Sequence, residues 1–131
     1  MVSVAISQDD DTELAIAQAL SSLPLGDLIQ GRLVAVKPND TWASEKDTTP
    51  VTQPDTLRAV IRHLKQLNPR HLVVSGGSGA AETDEVFEVS GMMDVIRQEG
   101  VEFFDHNRPP FREVTLDFGP QREVMVNPRV L

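Results

Sequence analysis

Residues 54–79 read PDTLRAVIRHLKQLNPRHLVVSGGSG, and this stretch decides the fold. Leu57, Val60, Ile61, Leu64 and Leu67 recur at the spacing that puts apolar side chains on one face of an α-helix. Pro54 stands where a proline is welcome in a first helical turn, and Pro69 follows just beyond the end. Leu72, Val73 and Val74 then form a short unbroken apolar run that leads into Ser75-Gly76-Gly77-Ser78-Gly79. Such a run suits a strand covered on both faces, as in a parallel sheet.

Outward from this unit the same alternation continues. Leu33 to Val36 is a second apolar run, followed by Lys37-Pro38-Asn39. Before it, Leu14, Ala17, Leu20 and Leu23 mark a helix that Asp11 or Thr12 would cap and that Pro24 and Gly26 end. The β-branched run Ser3 to Ser7 predicts a strand ending in Asp9-Asp10-Asp11. Downstream, Val86, Val89, Met93 and Ile96 predict a helix that Gly91 kinks or splits, and Val101 to Phe104 a strand ending in Asp105-His106-Asn107.

The tail changes period. Val114, Leu116 and Phe118 alternate with Glu113, Thr115 and Asp117, Gly119-Pro120-Gln121 turns the chain, and Val124 and Val126 answer on the return. This is the pattern of an antiparallel hairpin wetted on one face. Alternating strands and helices imply right-handed crossovers. The expected class is α/β: a three-layer Rossmann-like sandwich with a mostly parallel sheet plus a C-terminal antiparallel hairpin, built as one domain over residues 1–131.

Composition narrows the function. Acidic residues outnumber basic ones 20 to 12, for a net charge of -8, so a phosphate-neutralising groove is not expected and neither nucleic acid nor an anionic membrane is an expected partner. The absence of cysteine rules out disulfides, Cys-ligated zinc and iron–sulfur clusters within these residues, and no cofactor is expected in this chain. Met1 to Asp11 lacks the basic start and apolar run of a signal peptide, and no segment is long enough to span a bilayer, so the cytoplasm is the expected location.

Ligands of open parallel sheets settle outside the carboxyl ends of the strands. Those ends carry Asp9 and Asp10; Lys37 and Asn39; Ser75, Gly76, Gly77 and Ser78; and Asp105, His106 and Asn107. Lys37 would position a substrate carboxylate or act as an amine nucleophile, with Asp105 and His106 managing protons. Asn39, Ser75 to Ser78 and Asn107 would line the ligand. On this reading Lys37→Ala removes ligand binding and leaves melting unchanged.

The glycine loop has the look of an anion nest before a helix, but Glu82, Asp84 and Glu85 occupy the first turn that a phosphate would face. A structural loop capped by Thr83 is the simpler expectation. Asp9, Asp10 and Asp105 are the candidates for a divalent cation, without the spacing of a recognised metal motif. His71, at a strand start, is expected at the opposite edge, and His63 beside an apolar helical stripe. Residues 40–53 form a long aperiodic connector, with Trp42 expected to pack it down.

Several strings together resemble domain-of-unknown-function family 362. They are Val34-Ala35-Val36-Lys37-Pro38-Asn39, Thr56-Leu57-Arg58-Ala59-Val60-Ile61, Ser75 through Thr83, and Gly100 through Pro110. The resemblance implies that the chain is similar to the N-terminal half of a longer protein, with a missing C-terminal domain completing any cleft. Some members carry iron–sulfur modules, which implies a redox partner or attached domain as an alternative to a small-molecule ligand. Lys37 and Asn39 lie in the string most like the family's own. Gln53 stands where the family often has histidine, and the cysteine-rich segment of some members is absent.

Overall fold

The computed structural model of the chain describes residues 4–130. In chain order the elements are α1 (Thr12–Ser21), α2 (Gly26–Ile29), β1 (Leu33–Val36), α3 (Pro54–Gln66), β2 (His71–Gly76), α4 (Thr83–Val89), α5 (Met92–Glu99), β3 (Glu102–Asp105), β4 (Arg112–Thr115) and β5 (Glu123–Val126), closed by a 3-10 turn at Pro128–Val130. Strands β1, β2 and β3 form a parallel sheet in that order, and β4 and β5 a separate antiparallel pair. The α/β class, the parallel sheet and the C-terminal hairpin are those the sequence predicts.

Helix α3 forms as its pattern dictates, with Pro54 in the first turn and Asn68 leaving the helix at φ 53°. Leu57, Ile61 and Leu64 are buried on one face, each contributing about 2 kcal/mol by leaving water. They meet Leu72 and Val74 of β2 and Val86, Phe87, Met92, Val95 and Ile96 of α4 and α5 in one core. Phe87 and Phe103 pack with ring centroids 4.6 Å apart. Gly91, at φ 78°, is the break between α4 and α5 that a side chain would strain.

Both crossovers step the same way along the sheet, so α3 and α4–α5 share one face of it. The opposite face is met at β3 by the C-terminal segment, where the Arg129 guanidinium lies 5.1 Å from the centre of the Phe104 ring and pairs with Glu102. Central β2 is buried from Leu72 to Gly76, whereas β1 is an edge strand that leaves Leu33 half-exposed. Leu33 to Val36 therefore reads like a fully covered strand without being one.

Asp11 caps α1, its carboxylate accepting the Glu13 and Leu14 N–H groups at 2.8 and 3.1 Å. Val4 to Ser7 is not a strand; Ser3 lies outside the described residues. Val4 and Ile6 are 81% and 92% exposed. A β-branched run becomes a strand only beside a backbone that can pair with it, and among the described residues this one has none. The parallel sheet thus has three strands among the described residues rather than four. Among those residues no helix is long and apolar enough to cross a membrane.

Candidate functional site

Parallel strands end on one rim, and here the three ends are adjacent: Val36 lies beside Val74, and Gly76 beside Asp105. Lys37, the glycine loop and the Asp105-His106-Asn107 turn accordingly converge as expected. What joins Lys37 to the glycine loop is Asp40, a residue that no sequence pattern singles out.

The Asp40 side chain is only 3% exposed. One of its oxygens takes the Lys37 ammonium. The other accepts the Gly77 N–H at 2.6 Å and, more weakly, the Ser78 hydroxyl at 3.4 Å. Lys37 Nζ also donates to the Pro38 carbonyl at 2.7 Å. A buried carboxylate persists only when charge and hydrogen bonds replace its water, and all three donors do so here. The nest-like glycine loop is thus satisfied from inside the chain. Its next N–H, from Ser78, donates to Thr83 Oγ1 at 3.2 Å, so Thr83 caps the loop.

This pairing changes what Lys37 can report. Lys37→Ala would strip the counter-charge from a buried carboxylate, so it tests folding as well as binding. Lys37 stands as a paired cation, half-exposed at the rim, rather than as an isolated amine.

His106 is the second organised group. Its ring nitrogen Nδ1 and the buried Ser75 hydroxyl are 2.8 Å apart, and its backbone N–H donates to Gly76 O at 2.9 Å. The ring lies directly over Gly77, where a Cβ would come within 2.5 Å of ring carbons Cδ2 and Cε1 and closer still to Nε2. Glycine at 77 is therefore a condition of the histidine's position. Asn107 donates from Nδ2 to Ser78 O at 2.9 Å, tying the β3 turn to the same loop.

Asp105 is already engaged: its carboxylate accepts the Asn107 N–H at 2.8 Å and pairs with Arg108 at 3.2 Å. Arg108 also reaches Asp84 at 2.8 Å. Asp105 is thus an anchor of the turn. Asn39 points into its own connector, its backbone N–H donating to Thr52 Oγ1 at 2.8 Å and its Nδ2 to Pro50 O. That connector is pinned by buried Val51 and Asp40, while Trp42 is 41% exposed and is not the anchor expected of it. Polar bonds and two small apolar side chains, Val51 and Ala43, hold a loop that the sequence suggested a tryptophan would hold.

Asp9 accepts the Asp11 N–H at 3.0 Å on the exposed N-terminal turn. No group of three His, Asp or Glu side chains fit to hold a metal ion forms among the described residues, so Asp9, Asp10 and Asp105 do not assemble. His71 lies at the strand-start edge, as expected, 2.8 Å from Glu102.

Beside the rim an open cleft of about 410 Å³ is lined by His106, Asn107, Phe111, Met125, Val126 and Asn127. Phe111, Met125 and Val126 give it an apolar lining, and His106, Asn107 and Asn127 a polar one. Asn127 is committed to structure, donating to Arg108 O at 3.0 Å and accepting the Arg129 N–H at 3.0 Å. The hairpin thus contributes one wall, and no feature of its strand alternation marks it as such.

These features define an α/β protein whose parallel strands present a lysine, a glycine loop and an ordered histidine on a shared rim. Residues 34–130, from β1 through the last turn, match the family described as Domain of unknown function (DUF362), and the chain belongs to that family. Every residue of the rim network lies within the matched span. No curated protein and no solved structure matches the chain.

Proposed function

We propose that the chain binds a small anion-bearing metabolite at the carboxyl rim of its sheet. The apolar part of the ligand lies in the cleft against Phe111, Met125 and Val126. Lys37 supplies the charge that attracts the anionic end, and His106 exchanges a proton with the ligand. The observation that carries this reading is the fixed histidine: a ring held by Ser75 at 2.8 Å, seated on a glycine, and lining a cleft of metabolite size.

The test is a heteronuclear NMR titration with 3-phenylpropionate, which joins a carboxylate to an apolar ring, beside acetate as the bare anion. Saturable shifts are expected at His106, Asn107 and the Met125 methyl, larger for 3-phenylpropionate, and lost in His106→Ala. Unmoved signals at all three residues would refute the reading.

A second reading, docking of a redox protein or a further domain, draws on the hairpin. Phe118 and Met125 are 79% and 61% exposed there, an apolar surface on an acidic chain. Salt-sensitive binding of a ferredoxin-like protein, with no shift from either small probe, would favour it. If no complex forms at low ionic strength, this reading fails.

A further inference from the structure

The Lys37 ammonium, the Gly77 N–H and the Ser78 hydroxyl are the donors from which a site for a carboxylate or phosphate is made. All three are spent on a carboxylate of the same chain. Asp40 belongs to the connector after β1, whereas Gly77 and Ser78 follow β2, so the contact bridges two neighbouring strand ends. It is also placed beside the working histidine: Gly77, whose N–H Asp40 accepts, is the residue the His106 ring covers.

We propose that Asp40 is a built-in competitor for the anionic end of the ligand. The three donors form one anion site, the Asp40 carboxylate is its occupant in the free chain, and an external carboxylate or phosphate enters by displacing it from Lys37 and Gly77. This rests on the reading of Lys37 as the cation that meets the ligand. The exchange makes and breaks only hydrogen bonds and ion pairs, the incoming anion taking the three donors and the displaced Asp40 carboxylate turning to water. Its consequence is selectivity. A ligand with a single weak anionic group competes poorly against a carboxylate already in place, whereas a phosphate monoester or a dicarboxylate brings more charge and more acceptors.

The alternative is that Asp40 is purely structural, and the two differ in sign. Asp40→Asn keeps the shape and an acceptor oxygen but releases the charge of Lys37. The competitor reading has Asp40→Asn bind acetate and inorganic phosphate at least tenfold tighter than the unaltered chain, followed by NMR at the Gly77 and Ser78 amides. A structural role alone gives equal or weaker binding, and that result overturns the proposal. In Asp40→Ala the vacated space exposes all three donors, so acetate should raise the melting temperature of the variant while chloride at equal ionic strength does not. If Asp40→Ala fails to fold, Asp40→Asn alone decides the matter. Should 3-phenylpropionate bind at His106 in the unaltered chain while Asp40→Asn leaves anion affinity unchanged, the competitor idea falls and the binding site stands. Silence of both the unaltered chain and Asp40→Asn toward 3-phenylpropionate, with tight acetate binding in Asp40→Asn, upholds the competitor and removes the cleft as a binding site.

Discussion

Adding a single methyl group at each of three neighbouring glycines probes the rim quantitatively. At Gly77 the new Cβ would lie within 2.5 Å of Cδ2 and Cε1 of the His106 ring, so the imidazole must leave its place. Leaving breaks the hydrogen bond to the buried Ser75 hydroxyl, worth about 1 kcal/mol. Forcing volume into a packed spot costs about 1–3 kcal/mol more. Gly77→Ala should therefore lose roughly 2–4 kcal/mol. For a chain of 131 residues that lowers the melting temperature by about 8–16 °C. At Gly76 the added atom would sit 2.6 Å from Phe87 and 2.7 Å from Thr83, both buried, and the fall should be larger because neither can swing into solvent. At Gly79 nothing lies within 4 Å and the backbone is not left-handed, so Gly79→Ala should be neutral or gain about 0.4–1 kcal/mol through a less flexible unfolded chain. Thermal melts by circular dichroism rank the three, and the His106 ring signals report whether the Ser75 bond survives. If Gly77→Ala melts with Gly79→Ala and keeps that bond, the placement of the histidine over Gly77 is wrong.

Three further outcomes are expected. The hydrogen bond from His71, joined by one from Arg129, holds the Glu102 carboxyl below its ordinary value of 4.5; burial pushes Glu99 up, but hydrogen bonds from Arg62 and Lys65 outweigh it and leave that carboxyl lowered too. A carboxylate with a lowered folded pKa adds stability that is complete above the unfolded value and is lost as pH falls through the folded one, so melting temperature should drop on acidification below about 4.5, and less steeply in Glu99→Gln and Glu102→Gln. Phe87→Ala, which empties a fully buried ring position, should cost about 3–5 kcal/mol by urea denaturation. Arg129→Ala removes the contacts to Phe104 and Glu102 that hold the C-terminal segment, so hydrogen exchange should quicken in β4 and β5 while the α3 amides stay unchanged.

Local rules make α3, the β2 run and the hairpin legible. The spacing of Leu57, Ile61 and Leu64, the unbroken Leu72-Val73-Val74 and the alternation around Val114 are consequences of helical and extended geometry that hold before any tertiary contact forms. The convergence of Lys37, Gly77 and His106 is legible too, because parallel strands must end together. The N-terminal run misleads for the converse reason. Val4 and Ile6 have strand-forming side chains, but pairing depends on a neighbour that composition cannot reveal.

Asp40 shows where sequence alone stops. In an aperiodic polar connector an aspartate looks like a solvated side chain, and its position three residues after Lys37 is the one local hint. Its role exists only because β1 and β2 lie side by side, which brings the Gly77 N–H, distant in the chain, to a carboxylate removed from water. The sequence by itself determined α3, the three parallel strands, the hairpin and the rim on which the polar ends of those parallel strands meet. The tertiary structure alone decided which of those groups bind one another, because a buried charge is tolerated only where folding has assembled its partners.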